Sequence, residues 1–230
     1  IPTIDNELQI LADNREKFLK IGTRISVCSS KVIKMARDKL LTSQFLSKNN
    51  IIVPRTESAV DFLANPKDWK FPVILKPITG SSSIGIKILK SEKEVTNLNL
   101  DSNKYIAQEQ WLGDEYTVNV YFDFNGKMKC AIPHLRYEIR AGEVSKAVTR
   151  RHPVLMDIAQ RIGEILDNAC GAICFQAIVD KEGRAAVFEI NARFGGGFPI
   201  AHWARGYFSL WLLEECLGKD PTYSDFWEED

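Results

Sequence analysis

The stretch that decides the fold lies in the carboxyl-terminal part of the sequence and reads Phe188-Glu189-Ile190-Asn191-Ala192-Arg193-Phe194-Gly195-Gly196-Gly197. Its first half is typical of a strand, and alternation along a strand places Glu189, Asn191 and Arg193 on one face. Residues 172–180 predict a partner strand, joined to it by the turn Lys181-Glu182-Gly183. Gln176 on that partner strand would then face the same side of a hairpin.

These side chains are suited to a magnesium site. Carboxylate and amide oxygens on a rigid hairpin are ligands that Mg²⁺ accepts beside substrate phosphates. A guanidinium group on the same face can stabilise charge on a phosphoryl group in transfer. The alternative is that Glu189 and Arg193 form only a surface salt bridge.

A second motif precedes the hairpin in residues 71–85. A hydrophobic strand ends at Lys76, and small residues follow it from Thr79 to Gly85. Small side chains let backbone N–H groups approach phosphate oxygens, and the lysine supplies a positive charge. The stretch is not a Walker loop, because GxxxxGK[ST] is missing. A flexible hairpin loop with a solvated lysine remains the alternative.

Two further segments carry candidate binding groups. Residues 105–116 predict a strand and an acidic linker, whose main-chain groups can pair with the edge of an adenine; a plain acidic connection is the alternative. Along residues 133–143, alternation predicts that Arg136 and Arg140 share a face, where they would bind a substrate carboxylate or the γ-phosphate. The alternative there is an exposed basic strand paired with Glu138 or Glu143.

Composition and charge exclude several classes of protein. The chain has 230 residues, 45% of them hydrophobic, and 30 basic side chains balance 30 acidic ones. The chain has no excess of basic residues, so its charge does not indicate nucleic acid or an anionic membrane as a partner. No apolar run approaches the roughly 20 residues of a membrane span, and there is no signal-peptide pattern. The five cysteines lack zinc-site spacing, which indicates reduced thiols in a cytoplasmic protein.

The remaining pattern predicts where helices and strands lie. Apolar periodicity predicts the first helix, and Asn125-Gly126 predicts a hairpin turn. The predicted helices are residues 7–21, 31–48, 153–169 and 208–217. The predicted strands are residues 25–28, 73–76, 86–89, 105–108, 116–124, 127–133, 172–180 and 185–190.

Taken in this order, the motifs resemble the ATP-grasp superfamily between Arg37 and Gly218. The carbamoyl-phosphate synthase large-chain type and its carboxylate–amine ligase relatives are the most similar. The resemblance implies an α/β (α+β) fold in which two subdomains, about residues 52–110 and 111–220, clasp ATP within a domain of residues 31–230. It also implies that residues 1–30 are the tail of an N-terminal parallel-sheet domain.

The resemblance implies a role for each matching position. Lys39 and Lys76 would contact the ATP phosphates, and Arg193 would steady the transferred phosphoryl group. The serines of the phosphate-covering loop would be Ser81, Ser82 and Ser83. The adenine hinge and the ribose carboxylate would be Glu109, Trp111, Leu112 and Glu115. The metal ligands would be Gln176, Glu189 and Asn191.

The implied activity is that of a ligase. ATP and Mg²⁺ (or Mn²⁺) would convert a small-molecule carboxylate into an acyl phosphate, which an amine then attacks. Two alternatives stay open: a module that binds ATP without turnover, and a phosphotransferase that stops at phosphorylation. A homodimer is left open as the assembly, with neither nucleic acid nor a membrane as a partner.

Overall fold

A computed structural model of the protein describes residues 1–80, 84–140 and 142–229. The helices in these ranges are α1 (Asp5–Asp13), α2 (Arg15–Lys20), α3 (Ser30–Arg37), α4 (Lys39–Lys48), α5 (Ala59–Ala64), α6 (Pro153–Ile165), α7 (Phe198–Trp203) and α8 (Phe208–Cys216). The strands are β1 (Thr56–Ser58), β2 (Val73–Pro77), β3 (Lys87–Leu89), β4 (Tyr105–Glu109), β5 (Asp114–Phe122), β6 (Met128–Arg140), β7 (Glu143–Thr149), β8 (Gly171–Val179) and β9 (Ala185–Asn191).

The strands form two antiparallel sheets. The first has the order β1-β4-β2-β3, and the second has the order β7-β6-β5-β8-β9. The first sheet lies within residues 52–110 and the second within residues 111–220, so the α/β fold with two strand-bearing units is confirmed. The limits of the domains themselves stay a prediction. None of the helices described here has both the length and the hydrophobicity of a membrane span.

Both predicted hairpins of the larger sheet are confirmed. The first turns at Gly126 and the second at Gly183, and each glycine has a φ of 78°. This left-handed conformation is one that glycine adopts without steric cost, which is why Asn-Gly and Glu-Gly are effective turn sequences here. The second hairpin brings β8 and β9 into register and thereby places Gln176 directly opposite Glu189.

The main core lies on one face of the larger sheet. Val118 and Val120 of β5 pack there against helices α1, α3, α4 and α6, with Ile33 and Ile158 fully or nearly fully buried. Tyr121, on the opposite face of β5, packs in a second cluster with α8. Because β5 is covered on both faces, it is buried almost throughout rather than alternately.

The smaller sheet has its own core, and this core determines which side of β2 faces the cleft. Val73 and Leu75 are fully buried against α5, where the rings of Phe62 and Trp69 make an edge contact at 5.2 Å. Alternation then directs Ile74 and Lys76 towards the other face.

The first 50 residues depart from the predicted pattern. The helix predicted over residues 7–21 breaks at Asn14, and the helix predicted over residues 31–48 breaks at Asp38. Asp38 accepts hydrogen bonds from the N–H groups of Leu40 and Leu41 at 2.9 Å each, so it caps α4 rather than continuing α3.

The strand predicted over residues 25–28 is wrong. Within the part of the chain that the structure describes, these residues join no sheet, although Val27 and Cys28 are buried. Their apolar character reflects packing against the core of the larger sheet. The five cysteines are free thiols, as expected.

Candidate active site

A cleft between the two sheets brings most of the predicted site residues together. Its volume is about 440 Å³, and both sheets, the connection after β4 and the glycine stretch after β9 form its walls. The predicted residues that line it are Lys39, Lys76, Glu109, Trp111, Leu112, Glu115, Arg136, Gln176, Glu189, Asn191 and Arg193. Ser81, Ser82 and Ser83 lie outside the described residues.

Two lysines, Lys39 and Lys76, line the cleft. Lys39 is the first residue of α4, directly after the capping Asp38. Its Nζ donates a hydrogen bond to the carbonyl of Gly80 at 2.9 Å, next to the loop that follows β2. Lys76 lies near the end of β2 and is only 6% exposed. The cap and the strand therefore hold two cations at the same part of the cleft.

The burial of Lys76 has an electrostatic consequence. The pKa of its ammonium group is lowered from 10.5 to about 8, chiefly because burial removes water from the charge, and the nearby charge of Lys39 acts in the same direction. The carboxylates of Glu189 and Glu115 act in the opposite direction. A buried ammonium that lacks full compensation favours the arrival of an anion, such as a polyphosphate.

The three predicted metal ligands lie side by side at the floor of the cleft. Gln176 and Glu189 are direct partners across β8 and β9, and Asn191 lies two residues further along the same face. Nδ2 of Asn191 donates to Oε1 of Glu189 at 3.4 Å, so the two side chains are close. The hairpin thus presents one carboxylate and two amides to the same space.

This set of donors fits magnesium better than a tightly held transition metal. Across the described residues, no group of three or more His, Cys, Asp or Glu is arranged to hold a metal ion. Mg²⁺ keeps several waters and needs only one or two protein carboxylates when phosphates supply further oxygens. Glu189 with the amide oxygens of Gln176 and Asn191 meets that requirement.

The connection after β4 forms the opposite end of the cleft. Glu109, the last residue of β4, donates its N–H to the carbonyl of Arg55 at 3.0 Å. Trp111, Leu112 and Gly113 follow and line the cleft with their neighbours. Leu112 is 76% exposed, so burial of its side chain does not hold this connection in place. That geometry suits the predicted pairing of backbone groups with an adenine edge.

The apolar walls beside this connection were not singled out from the sequence. Ile74 of β2, Ile178 of β8 and Phe188 of β9 line the cleft, and Phe188 has its ring 5.2 Å from Nζ of Lys76. The signal that would have found two of them is strand alternation. Ile74 is two residues from Lys76, and Ile178 is two residues from Gln176, so each shares a face with a polar candidate.

Arg136 and Glu115, which were predicted to bind different parts of the substrates, form an ion pair. Nη2 of Arg136 also donates to the carbonyl of Gly142 at 2.9 Å. The Arg136 side chain is 5% exposed, whereas that of Glu115 is 30% exposed. Glu115 therefore keeps a solvent-accessible edge in the cleft while it neutralises a buried guanidinium group.

The expectation that Arg140 shares the cleft with Arg136 is wrong. The pairing of β6 with β7 shifts register between Arg136 and Glu138 and again between Glu138 and Ile139. These irregularities break the alternation, so that Ile139 rather than Arg140 lines the cleft. The Arg140 side chain is 74% exposed and pairs with Glu138 at 2.6 Å, which matches the alternative reading of an exposed basic strand.

Arg193 lies just beyond the end of β9 and lines the cleft. Its Nη2 forms an ion pair with Oδ2 of Asp5 at 2.7 Å, and its Nη1 donates to the carbonyl of Phe194 at 2.9 Å. No local sequence pattern points to Asp5, because 188 residues separate the two partners. The structure thus adds one acidic residue to the surroundings of the site.

The match to known proteins covers the residues that line the cleft. A family model described as an ATP-grasp domain matches residues 36–197. The D-alanine–D-alanine ligase of Pseudomonas entomophila (strain L48) is 31% identical over 180 residues, which cover 70% of this chain and 56% of that ligase. The chain thus spans somewhat more than half the length of the curated relatives that it matches.

Solved structures share the fold at low sequence identity. The biotin carboxylase domain of the Hydrogenobacter thermophilus 2-oxoglutarate carboxylase, solved as a dimer with MgADP, ADP and bicarbonate, has a TM-score of 0.76 at 17% identity, covering 94% of this chain and 53% of that chain. The L-amino acid ligase of Bacillus licheniformis has a TM-score of 0.70 at 15% identity, covering 97% and 56%. With the family model matched over residues 36–197, the chain belongs to the ATP-grasp family.

Proposed function

We propose that the protein is an ADP-forming ligase, which uses ATP and Mg²⁺ (or Mn²⁺) to activate a carboxylate and join it to an amine. One observation carries the proposal. The buried cation Lys76, the second cation Lys39 and the oxygen donors of the β8–β9 hairpin line the same cleft. A Mg²⁺-bound triphosphate is the ligand class that needs both kinds of group at once.

The rest of the cleft supports a defined orientation for the nucleotide. The adenine would lie between the apolar walls, with its edge on the backbone near Trp111, and Glu115 would accept from the ribose hydroxyls. The triphosphate would then extend towards Lys39, Lys76 and the hairpin. Gln176, Glu189 and Asn191 would hold the metal.

The chemistry requires charge compensation more than covalent work by the protein. An oxygen of the substrate carboxylate attacks the γ-phosphorus, the bond from that phosphorus to the β–γ bridging oxygen breaks, and ADP leaves. An amine then attacks the acyl carbon and expels phosphate. Held by Gln176, Glu189 and Asn191, Mg²⁺ would offset the negative charge of the phosphates. Lys39, Lys76 and Arg193 would share that task with fixed positive charges.

The relatives support a ligase rather than a phosphotransferase. Those named above include a D-alanine–D-alanine ligase and an L-amino acid ligase, and both names describe ligation. The finer resemblance to the carbamoyl-phosphate synthase type rests on the sequence motifs. We further infer small-molecule substrates, a cytoplasmic setting, and neither nucleic acid nor a membrane as a partner. We also propose that the protein forms a homodimer and that its chain divides into domains of residues 1–30 and 31–230.

Trapping of the acyl phosphate tests this proposal. Purified protein is incubated with ATP, Mg²⁺, hydroxylamine and single carboxylates from a panel of amino acids and simple acids. Hydroxylamine attacks an acyl phosphate, releases phosphate and leaves a hydroxamate, which forms a coloured complex when Fe³⁺ is added. We expect ADP and hydroxamate in equal amounts with some members of the panel, and neither product with Glu189→Gln.

The two alternatives give different outcomes. A phosphotransferase that acts on hydroxyl groups would form ADP and a stable phosphate ester without hydroxamate. A module that only binds nucleotide would bind Mg²⁺ and ATP but release no ADP with any member of the panel. Either result contradicts the proposed ligase.

A further inference from the structure

The glycine stretch after β9 crosses the face of the larger sheet. A Cβ at Gly195 would lie 2.8 Å from Sγ of Cys174 on β8 and 3.8 Å from Oδ1 of Asn119 on β5. A Cβ at Gly197 would lie 2.8 Å from Nε2 of His134 on β6 and 2.9 Å from Cγ1 of Val144 on β7. The stretch therefore runs from β9 over β8, β5 and β6 to β7, against the sheet surface.

At the β6–β7 edge this stretch closes a small pocket within the cleft. We call it the aliphatic pocket, and it is formed by Arg136, Ile139, Val144 and Gly197, all of which line the cleft. Ile139 and Val144 are direct partners across β6 and β7. The register shifts of β6 bring Arg136 and Ile139, three residues apart, to the same side. A regular strand would have turned one of them away.

The floor beneath this pocket carries no charge. His134 is fully buried, and burial together with the charge of Arg136 lowers the pKa of its imidazole to about 4. The neutral ring lies 3.2 Å from the amide nitrogen of Asn119, measured at Nδ1. Nδ1 accepts from that amide, so Nε2 carries the proton and faces the glycine stretch. The one charged side chain of the pocket itself is therefore Arg136, which is paired with Glu115.

Arg136 retains an unused donor. Its Nη1 pairs with Glu115 and its Nη2 donates to the carbonyl of Gly142, but Nε is buried and has no hydrogen-bond partner among the described residues. A buried N–H of this kind is costly unless a ligand completes it. A carboxylate is the acceptor that a guanidinium group binds best.

We propose that the aliphatic pocket selects the carboxylate that is activated, and that it takes an acid with a short, uncharged aliphatic chain. The carboxylate is oriented by Arg136 towards the triphosphate, and the chain packs against Ile139 and Val144 beside the bare backbone at Gly197. A charged chain is rejected, because Ile139, Val144 and Gly197 offer no charged group to pair with it. This inference rests on the proposed ligase function.

The test compares the chain-length preference of variants at Val144 in the hydroxamate assay. The panel is alanine, valine, leucine and phenylalanine, in both enantiomers, with lysine and glutamate as charged members. The wild type is expected to use the aliphatic members at least tenfold better than lysine or glutamate, because burial of an unpaired charge is costly. Val144→Ala is expected to shift the preference towards the longer chains by about tenfold, because one or two methylenes differ in fit.

A second variant and a control make the result interpretable. Val144→Phe fills the pocket and is expected to abolish hydroxamate formation while the affinity for Mg²⁺ and a non-hydrolysable ATP analogue, measured by calorimetry, is retained. Val60→Phe adds the same ring on the exposed side of α5, outside the cleft, and should leave both measurements unchanged.

The outcomes separate this inference from the proposed function. If hydroxamate forms but the charged members are used equally well, or if Val144→Ala leaves the preference unchanged, the aliphatic pocket is not the selecting site and only this inference is overturned. If neither ADP nor hydroxamate forms with any carboxylate although the nucleotide binds, the ligase function itself fails and takes this inference with it.

Discussion

Arg193 at the end of β9 forms an ion pair with Asp5 at the start of α1, with Nη2 and Oδ2 separated by 2.7 Å. The pair joins the first helix of the chain to the site at which phosphoryl transfer is proposed. The Arg193 side chain is 14% exposed and that of Asp5 is 24% exposed, so solvent screens the pair only in part. Helix α1 is thereby coupled to the geometry of the cleft.

Asp5→Asn removes the charge of this carboxylate and keeps its shape. We expect the free energy of unfolding to fall by about 1–3 kcal/mol, because a largely buried guanidinium group loses its acidic partner. Urea unfolding followed by circular dichroism measures the change. Asp101→Asn is the matched control, since its pair with Lys104 is exposed and should contribute little. Equal effects at both positions would contradict a structural role for the Asp5 pair.

Glu189→Gln tests the proposed metal site. The substitution preserves the size of the side chain on β9 and removes the one carboxylate of the set, so the fold is expected to persist. Mg²⁺-dependent formation of ADP should fall by about a hundredfold or more. Glu182→Gln, in the exposed turn of the same hairpin, is the control. Unchanged turnover in the Glu189 variant would rule out the metal assignment.

Lys76 predicts a pH dependence of nucleotide binding. Burial lowers the pKa of its ammonium group to about 8, so the free protein loses this charge as the pH rises above 8. We expect the affinity for a non-hydrolysable ATP analogue to be weaker at pH 9 than at pH 7, by up to about tenfold. In calorimetry, binding at pH 9 should take up protons. Lys76→Met should weaken binding at pH 7 and abolish both the proton uptake and the pH dependence.

The same group affects folding stability with a definite sign. The pKa of Lys76 is about 8 in the folded chain and 10.5 for an ordinary lysine, so between these limits the unfolded chain binds more protons. The contribution of Lys76 to the free energy of unfolding therefore rises with pH from about 8 to 10.5 and is unfavourable below. Unfolding of the wild type and Lys76→Met across this range measures it. A difference that is constant with pH would contradict the lowered pKa.

The adenine position proposed for the cleft depends on the backbone at Gly113. A Cβ at this position would lie 2.0 Å from the carbonyl oxygen of Val179, and backbone cannot yield as a side chain can. Gly113→Ala should displace the connection that carries Trp111 and weaken nucleotide binding. Gly183→Ala is a control with a strained φ of 78° but open space around it, so it should cost stability without a loss of affinity. Normal nucleotide affinity in Gly113→Ala would argue against the proposed adenine position.

Much of the larger sheet can be predicted from short stretches of sequence, because its turns and its strand alternation depend on neighbouring residues. Gly126 and Gly183 fix two turns, and alternation along β8 and β9 fixes which side Gln176 and Glu189 face. The elements that the sequence did not predict depend on distant partners. Strand β1, for example, has only three residues and is defined by its pairing with β4, where Thr56 faces Gln108.

The errors at the site have the same origin. Arg140 was placed by regular alternation, and the register shifts of β6 depend on how β7 pairs with it. Asp5 contacts Arg193 across almost the whole chain, which no local pattern reports. The candidate residues on β2, β8 and β9 can be predicted from sequence because alternation along a strand decides which side chains share a face. This alternation is a property of the local backbone.

Anomalous diffraction from crystals grown with Mn²⁺ and a non-hydrolysable ATP analogue tests the central claim most directly, because manganese marks the metal position without reference to activity. The account predicts a manganese peak within coordination distance of Glu189, with the triphosphate in contact with Nζ of both Lys39 and Lys76. A peak at another place, or a nucleotide that leaves either lysine without a phosphate contact, would contradict it.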